Sequence, residues 1–109
     1  MAVTQKVLGQ LYPTASTMTD LYTVPAATTA VISSIVICNS SSTATSFSVV
    51  IRKAGAALSN PQYIYNTRPI GSNDTFILTG GITLAATDVI SVYATLGTLS
   101  FNLFGQENS

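Results

Sequence analysis

Ser46-Phe47-Ser48-Val49-Val50-Ile51-Arg52 is the stretch that decides the fold. On an extended chain successive side chains point to opposite faces. Phe47, Val49 and Ile51 therefore share one side, and Ser48, Val50 and Arg52 the other. The residue types agree with this period, because β-branched and aromatic side chains suit a pleated, half-buried surface. Similar runs recur in both directions between turn signals. Towards the N-terminus, residues 31–39 form a longer apolar run ending at Ser40-Ser41-Ser42. Residues 21–24 form a short one closing at Pro25, and residues 5–12 an extended segment with Gly9 inside it and Pro13 after it. Towards the C-terminus, a small-residue loop (54–60) precedes a short strand at 63–66, closed by Arg68-Pro69. Ser72-Asn73-Asp74 turns the chain into a strand at 75–79, which Gly80-Gly81 breaks. Residues 82–84, 89–94 and 99–104 complete the series, separated by Ala86-Thr87-Asp88 and Gly97.

About eight strands at this spacing predict an all-β chain: an antiparallel β-sandwich, jelly-roll-like. No composition shift marks a linker, so residues 1–109 read as one domain. Within it, residues 1–12 form either an extended N-terminal arm or the first strand.

Composition narrows the function. Of 109 residues 7% are charged, and four basic side chains balance four acidic ones; an ordinary soluble domain carries about 25%. Nucleic-acid binding needs clustered Lys and Arg, so it is not expected. There is no His, which excludes a Ser-His-Asp triad, a Cys-His pair and a His-ligated metal. The single Cys38 cannot form an intrachain disulfide, and its apolar run reads as burial of a small hydrophobe. The N-terminus lacks the basic start and apolar core of a signal peptide. The most apolar window, residues 30–38, falls far short of the roughly 20 residues of a membrane helix. Synthesis in the cytosol is expected, followed by retention there or exit within a larger assembly.

Several strands are apolar on both faces. In residues 31–39, Val31, Ile35 and Ile37 are expected to point one way and Ile32, Val36 and Cys38 the other. In residues 89–94, Val89 and Tyr93 oppose Ile90 and Val92, and in the last strand Leu99, Phe101 and Leu103 oppose Phe104. One set can fill a core, while the other must meet something else. Exposed apolar patches generally mark interaction sites, and little charge is available to keep such a surface monomeric. The expectation is a homo-oligomer whose candidate interface residues are Val7, Leu8, Ile32, Val36, Tyr63, Tyr65, Ile90, Val92 and Phe104. The alternative is a central strand covered by both sheets and a loop.

Chemistry-bearing groups are sparse. Asp74 and Asp88 are the only acids that could pair for glycoside hydrolysis, and each reads as a turn residue accepting local backbone N–H groups. Asn73, Asp74 and Asp88 lack the carboxylate density of a tight calcium site. Arg52-Lys53 and Arg68 could meet acidic groups, but read as solvated. Asn39-Ser40-Ser41 and Asn73-Asp74-Thr75 match the glycosylation sequon, which carries little weight without a signal peptide. Gly80-Gly81 is followed by no Lys or helix and is no phosphate loop. No catalytic residue, cofactor or metal site is expected.

Lys6-Val7-Leu8-Gly9-Gln10, Leu21-Tyr22-Thr23-Val24-Pro25-Ala26, Ile35-Val36-Ile37-Cys38-Asn39, the segment Gly81-Ile82-Thr83-Leu84-Ala85-Ala86-Thr87-Asp88-Val89-Ile90 and the ending Phe101-Asn102-Leu103-Phe104-Gly105-Gln106-Glu107 carry a resemblance over nearly the whole chain. The chain resembles a family of small virion structural proteins of tailed bacteriophages, common among phages of cyanobacteria and other aquatic bacteria. Its motifs are turn and strand residues, so the resemblance specifies a fold and a setting and brings no catalytic residues. It implies a capsid cement or decoration protein, trimeric, located in the virion and assembled in the host cytoplasm. The implied partners are further copies of itself and the major capsid protein or other virion proteins, with no nucleic acid and no membrane. A neck, tail or baseplate component is one alternative. Another is an adsorption module binding host glycan through Tyr63, Tyr65 and the loop at 54–60.

Overall fold

Two alternating segments, Phe47–Val49–Ile51 and Leu99–Phe101–Leu103, face each other across the molecule, and the rest of the chain is wound around them. The computed structural model describes residues 3–79 and 81–109. Met1 and Ala2 of the expected N-terminal arm and Gly80 of the Gly80-Gly81 break lie outside the described residues. The strands are β1 (Val3–Leu11), β2 (Thr19–Thr23), β3 (Thr29–Asn39), β4 (Thr45–Arg52), β5 (Tyr63–Ile70), β6 (Thr75–Leu78), β7 (Ile82–Leu84), β8 (Val89–Ala94) and β9 (Leu99–Asn108). Two short 3-10 turns, Lys53–Gly55 and Asn60–Gln62, lie between β4 and β5.

One sheet has the order β1-β9-β3-β6, with β7 pairing on the remaining length of β3; the other has the order β2-β8-β4-β5. All pairings are antiparallel. The chain thus pairs as if doubled back on itself: β1 with β9, β2 with β8, β3 with β6 and β7, and β4 with β5. That is the jelly-roll winding of a two-sheet, single-domain sandwich. β6 and β7 together fill one strand position, so nine strands occupy the eight positions of a jelly roll. β5 continues through Pro69, beyond the end expected at residue 66. Proline is tolerated there because β5 is the edge of its sheet and has no ladder partner on one side. Residues 3–11 form the first strand of the chain's own sheet, paired to β9 along their length.

The core lies between the sheets and includes Phe47 and Val49 of β4, Ile90, Val92 and Ala94 of β8, and Leu99, Phe101 and Leu103 of β9. These strands obey the alternation read from sequence. β3 does not. Its inward residues are Ala30, Ile32, Ile35, Ile37 and Asn39, all buried. A register shift between Ile32 and Ser34 inserts Ser33 as an extra residue. That bulge moves the alternation by one, so Ile32 joins Ile35 and Ile37 while Val31 faces outward. The Ser33 hydroxyl donates to the Phe104 carbonyl at 3.1 Å and fastens the bulge to β9. A second bulge interrupts β1 between Val7 and Gly9, on the other side of the same stretch of β9. Gly105 is required beside them, since a Cβ there would collide with the Val31 carbonyl oxygen.

Part of the outer face of the β2-β8-β4-β5 sheet, over β8 and β4, is covered by the chain itself. The segment from Lys53 to Gln62 lies on it, its first 3-10 turn against β8 and its second against β4. Val50 and Ser91 of this face are 0% exposed, although neither belongs to the core cluster. Arg52 fastens the cover. Its Nη1 donates to the carbonyls of Gly55 and Ala56, both at 3.2 Å, its Nε to Ser91 Oγ at 3.1 Å and its Nη2 to Asp20 Oδ1 at 2.8 Å. Val50, Val89 and Ser91 of that second face are thus buried within the single chain.

Candidate interaction surface

The outer face of the β1-β9-β3-β6 sheet has no such cover. Strand register places its residues in rows. Gln5, Gln106, Val31 and Thr83 form one row; Val7, Phe104 and Ser34 the next. Gln10, Asn102, Val36 and Ile77 form a third, and Ser100, Cys38 and Thr75 a fourth. None is charged. Val7 is 48% exposed and Ile77 58%. Gln10 Nε2 donates to Asn102 Oδ1 at 2.8 Å across the β1–β9 pair. The two bulges flank a depression of about 470 Å³ beside Phe104, with Gln5, Lys6, Val31, Ser33 and Gln106 in its walls.

Apart from Lys6, the charged side chains lie away from this face. Arg52 and Asp20 pair on the opposite sheet. Lys6 Nζ lies 2.9 Å from Glu107 Oε1 at one end of the sandwich. The Tyr22 hydroxyl, reaching over from the other sheet, donates to Glu107 Oε2. These two bonds hold the Glu107 carboxyl below its ordinary range, the tyrosine bond first, and burial followed by that same bond holds the Tyr22 phenol well above its own. Arg68 stacks its guanidinium over Phe76 and Tyr65, 4.5 and 5.3 Å from the ring centroids. Asp74 and Asp88 serve turns. Thr75 N–H donates to Asp74 Oδ1 at 2.9 Å, and the N–H groups of Ala54 and Ala85 donate to the two Asp88 oxygens at 2.8 and 2.9 Å.

Of the candidate interface residues, the structure brings Val7, Val36 and Phe104 together on this open face. It places Ile32, Ile90 and Val92 in the core and Leu8 and Tyr65 against it, and leaves Tyr63 half-exposed on the other sheet. Ile90 and Val92 are core residues, 0% exposed because the alternation of β8 points them between the two sheets. Ile32 is in the core because of the Ser33 bulge. Leu8, the extra residue of the β1 bulge, packs against the core. Tyr63 and Tyr65 do not form one platform. A register shift sets Tyr65 opposite the core residue Val49 and Tyr63 opposite Val50 of the covered face. Tyr65 packs edge-on to Phe47 and Phe76, with centroids 6.1 and 5.3 Å away. Sequence reasoning passed over the amides of the open face, Gln5, Gln10, Asn102 and Gln106. Their signal was the alternation of β9, where Ser100, Asn102 and Gln106 fall on the side away from Phe101 and Leu103.

Asp74 and Asp88 lie at opposite ends of the sandwich. Thr75 pairs with Cys38 at one end of β3, and Leu84 with Ala30 at the other. Eight residues of strand rise roughly 26 Å, too far for the acids to flank one bond or share one cation. Among the described residues no group of three or more His, Cys, Asp or Glu side chains could hold a metal, and no helix is long and apolar enough to cross a membrane. Asn39 is no glycan acceptor, being 0% exposed with its amide bonded to the carbonyls of Thr43 and Gly71. No family model matches the chain, and no curated protein or solved structure does either.

Proposed function

We propose that this protein is a non-enzymatic structural subunit of a tailed-phage particle, which self-associates and serves as capsid cement or decoration. The observation that carries this reading is the distribution of charge and cover. One sheet is partly roofed by the protein's own loop and carries the Arg52–Asp20 pair. The other presents an open face of amides, hydroxyls and apolar side chains whose one bordering charge, Lys6, is paired with Glu107. Such a face is suited to burial against protein, because no unpaired charge must be stripped of water. The jelly roll supports the reading by analogy, since it is a frequent fold of capsid proteins and also of lectins. The resemblance to small phage virion proteins supplies the setting. A neck, tail or baseplate position is the second reading, separable from the first by copy number alone.

Quantitative mass spectrometry of purified particles of the phage carrying this sequence tests the proposal. Cement is expected at hundreds of copies per particle, and a neck, tail or baseplate component at a few to tens. Absence from purified particles overturns the virion reading.

A further inference from the structure

We infer that the open face of the β1-β9-β3-β6 sheet packs against the same face of a second copy, related by a two-fold axis. This rests on the reading of the protein as an assembly subunit and names its first contact. An average protein surface, with about a quarter of its residues charged, would bring several charges onto this face. None would find a partner, and each would lose water. The surface that meets the requirement is the face itself. Its amides and hydroxyls are self-complementary, since each supplies both donor and acceptor. An isologous contact needs a patch that matches its own copy.

Area agrees. Four strands about 4.8 Å apart, over roughly eight residues at about 3.3 Å each, give a footprint of about 500 Å². Two faces together reach about 1,000 Å², the lower bound for a specific interface. Relief agrees too. Sheets stack about 10 Å apart by interleaving side chains. Here the depression beside Phe104, with Lys6 in its wall, is a hollow, and Val7 and Ile77 on the outer strands β1 and β6 are exposed apolar side chains. Packing one face on its copy lets an exposed apolar side chain enter the facing hollow.

Light scattering of the full chain at micromolar concentration is the first measurement, and the expected mass is that of two chains. Val36→Lys and, independently, Asn102→Lys place like charges within the buried face. Each is expected to weaken association at least tenfold while far-UV circular dichroism stays unchanged; because two variants are used, one folding failure does not end the test. Leu58→Lys, on the loop covering the other sheet, is expected to leave the mass at two chains. Cys38, the only cysteine, sits on the open face beside Ser100 and Thr75 and reports on its cover. Maleimide labelling is expected to be slow in wild type and fast in the two lysine variants. A two-chain mass with Cys38 labelled at the rate seen in those variants overturns this inference and leaves the assembly reading standing. So does a mass of three chains, which needs two different patches, and so does a monomer that is still recovered in particles. A monomer that is also absent from particles overturns both.

Discussion

Replacing Asn39 tests the best-satisfied polar site in the molecule. Its Nδ2 donates to the carbonyls of Thr43 and Gly71 at 2.9 and 3.0 Å, and its Oδ1 accepts from Ser41 N–H and the Thr98 hydroxyl at 3.1 and 3.2 Å. One side chain thereby joins the end of β3 to three separate loops. Asn39→Ala removes all four bonds. Water can reach the carbonyls of exposed Thr43 and Gly71, whereas the Ser41 N–H and the Thr98 hydroxyl belong to half-buried residues. About two of the four groups are then left unsatisfied, at roughly 1–3 kcal/mol each. The expected loss is about 3 kcal/mol, out of a total of roughly 5–15 for a domain of this kind. That corresponds to a fall in Tm of about 15 °C, measurable by circular dichroism. Asn39→Asp should be no milder at neutral pH, since it retains the acceptor but turns a second oxygen toward two carbonyls. Acid should partly relieve it, because a protonated carboxyl regains one donor. A Tm within about 3 °C of wild type for Asn39→Ala would refute the reasoning, for that is less than one unsatisfied bond.

Deleting Ser33 should remove the β3 bulge while Ile32 and Ile35 stay on the core side, since residues 32, 34 and 35 then alternate regularly; a cooperative thermal melt is expected to persist, and its loss would show that the bulge does more than add one residue to β3. For the Tyr22–Glu107–Lys6 cluster the direction of each pH effect follows from the shifts. Glu107 is held below its ordinary value of 4.5, so its contribution is fully present above that pH and is lost as pH falls through the folded-state value. Tyr22 is held above its ordinary value of 10.0, so its contribution is present below that pH and fades as pH rises further. Glu107→Gln should flatten the acid limb of the stability curve, and an unchanged acid limb would count against the pairing. Arg52→Ala should loosen the loop over β8 and β4, so that limited proteolysis cuts within residues 53–62 several-fold faster, while Arg52→Lys recovers part of the protection; equal cutting of wild type and Arg52→Ala would mean the loop is held by other contacts.

The strands of the core were legible because their alternation is local. Phe47, Val49, Phe101 and Leu103 declare a face through period two alone, and the structure keeps them there. Turn residues were equally legible: Asp74 and Asp88 accept backbone N–H groups, as short acidic side chains in turns do. The alternation of β3 was not legible, because nothing in Ile32-Ser33-Ser34 distinguishes a bulged serine from a paired one. The bulge is set across the sheet, where Ser33 meets β9 opposite a second bulge in β1. The candidate surface was legible in part. Val7, Val36 and Phe104 lie on it, but Ile90 and Val92, equally apolar, lie inside.

The amino-acid sequence by itself determined an all-β chain of alternating strands with few charges, because side-chain period and turn chemistry act between near neighbours. Only the tertiary structure decided which greasy faces remain open. That choice depends on where Arg52 anchors a loop and on how strands far apart in the chain come to lie side by side, and no local pattern records either. The same physical cause hid the uncharged face: its rows join residues from the two ends and the middle of the polypeptide, which become a surface only when β1, β9, β3 and β6 stand together.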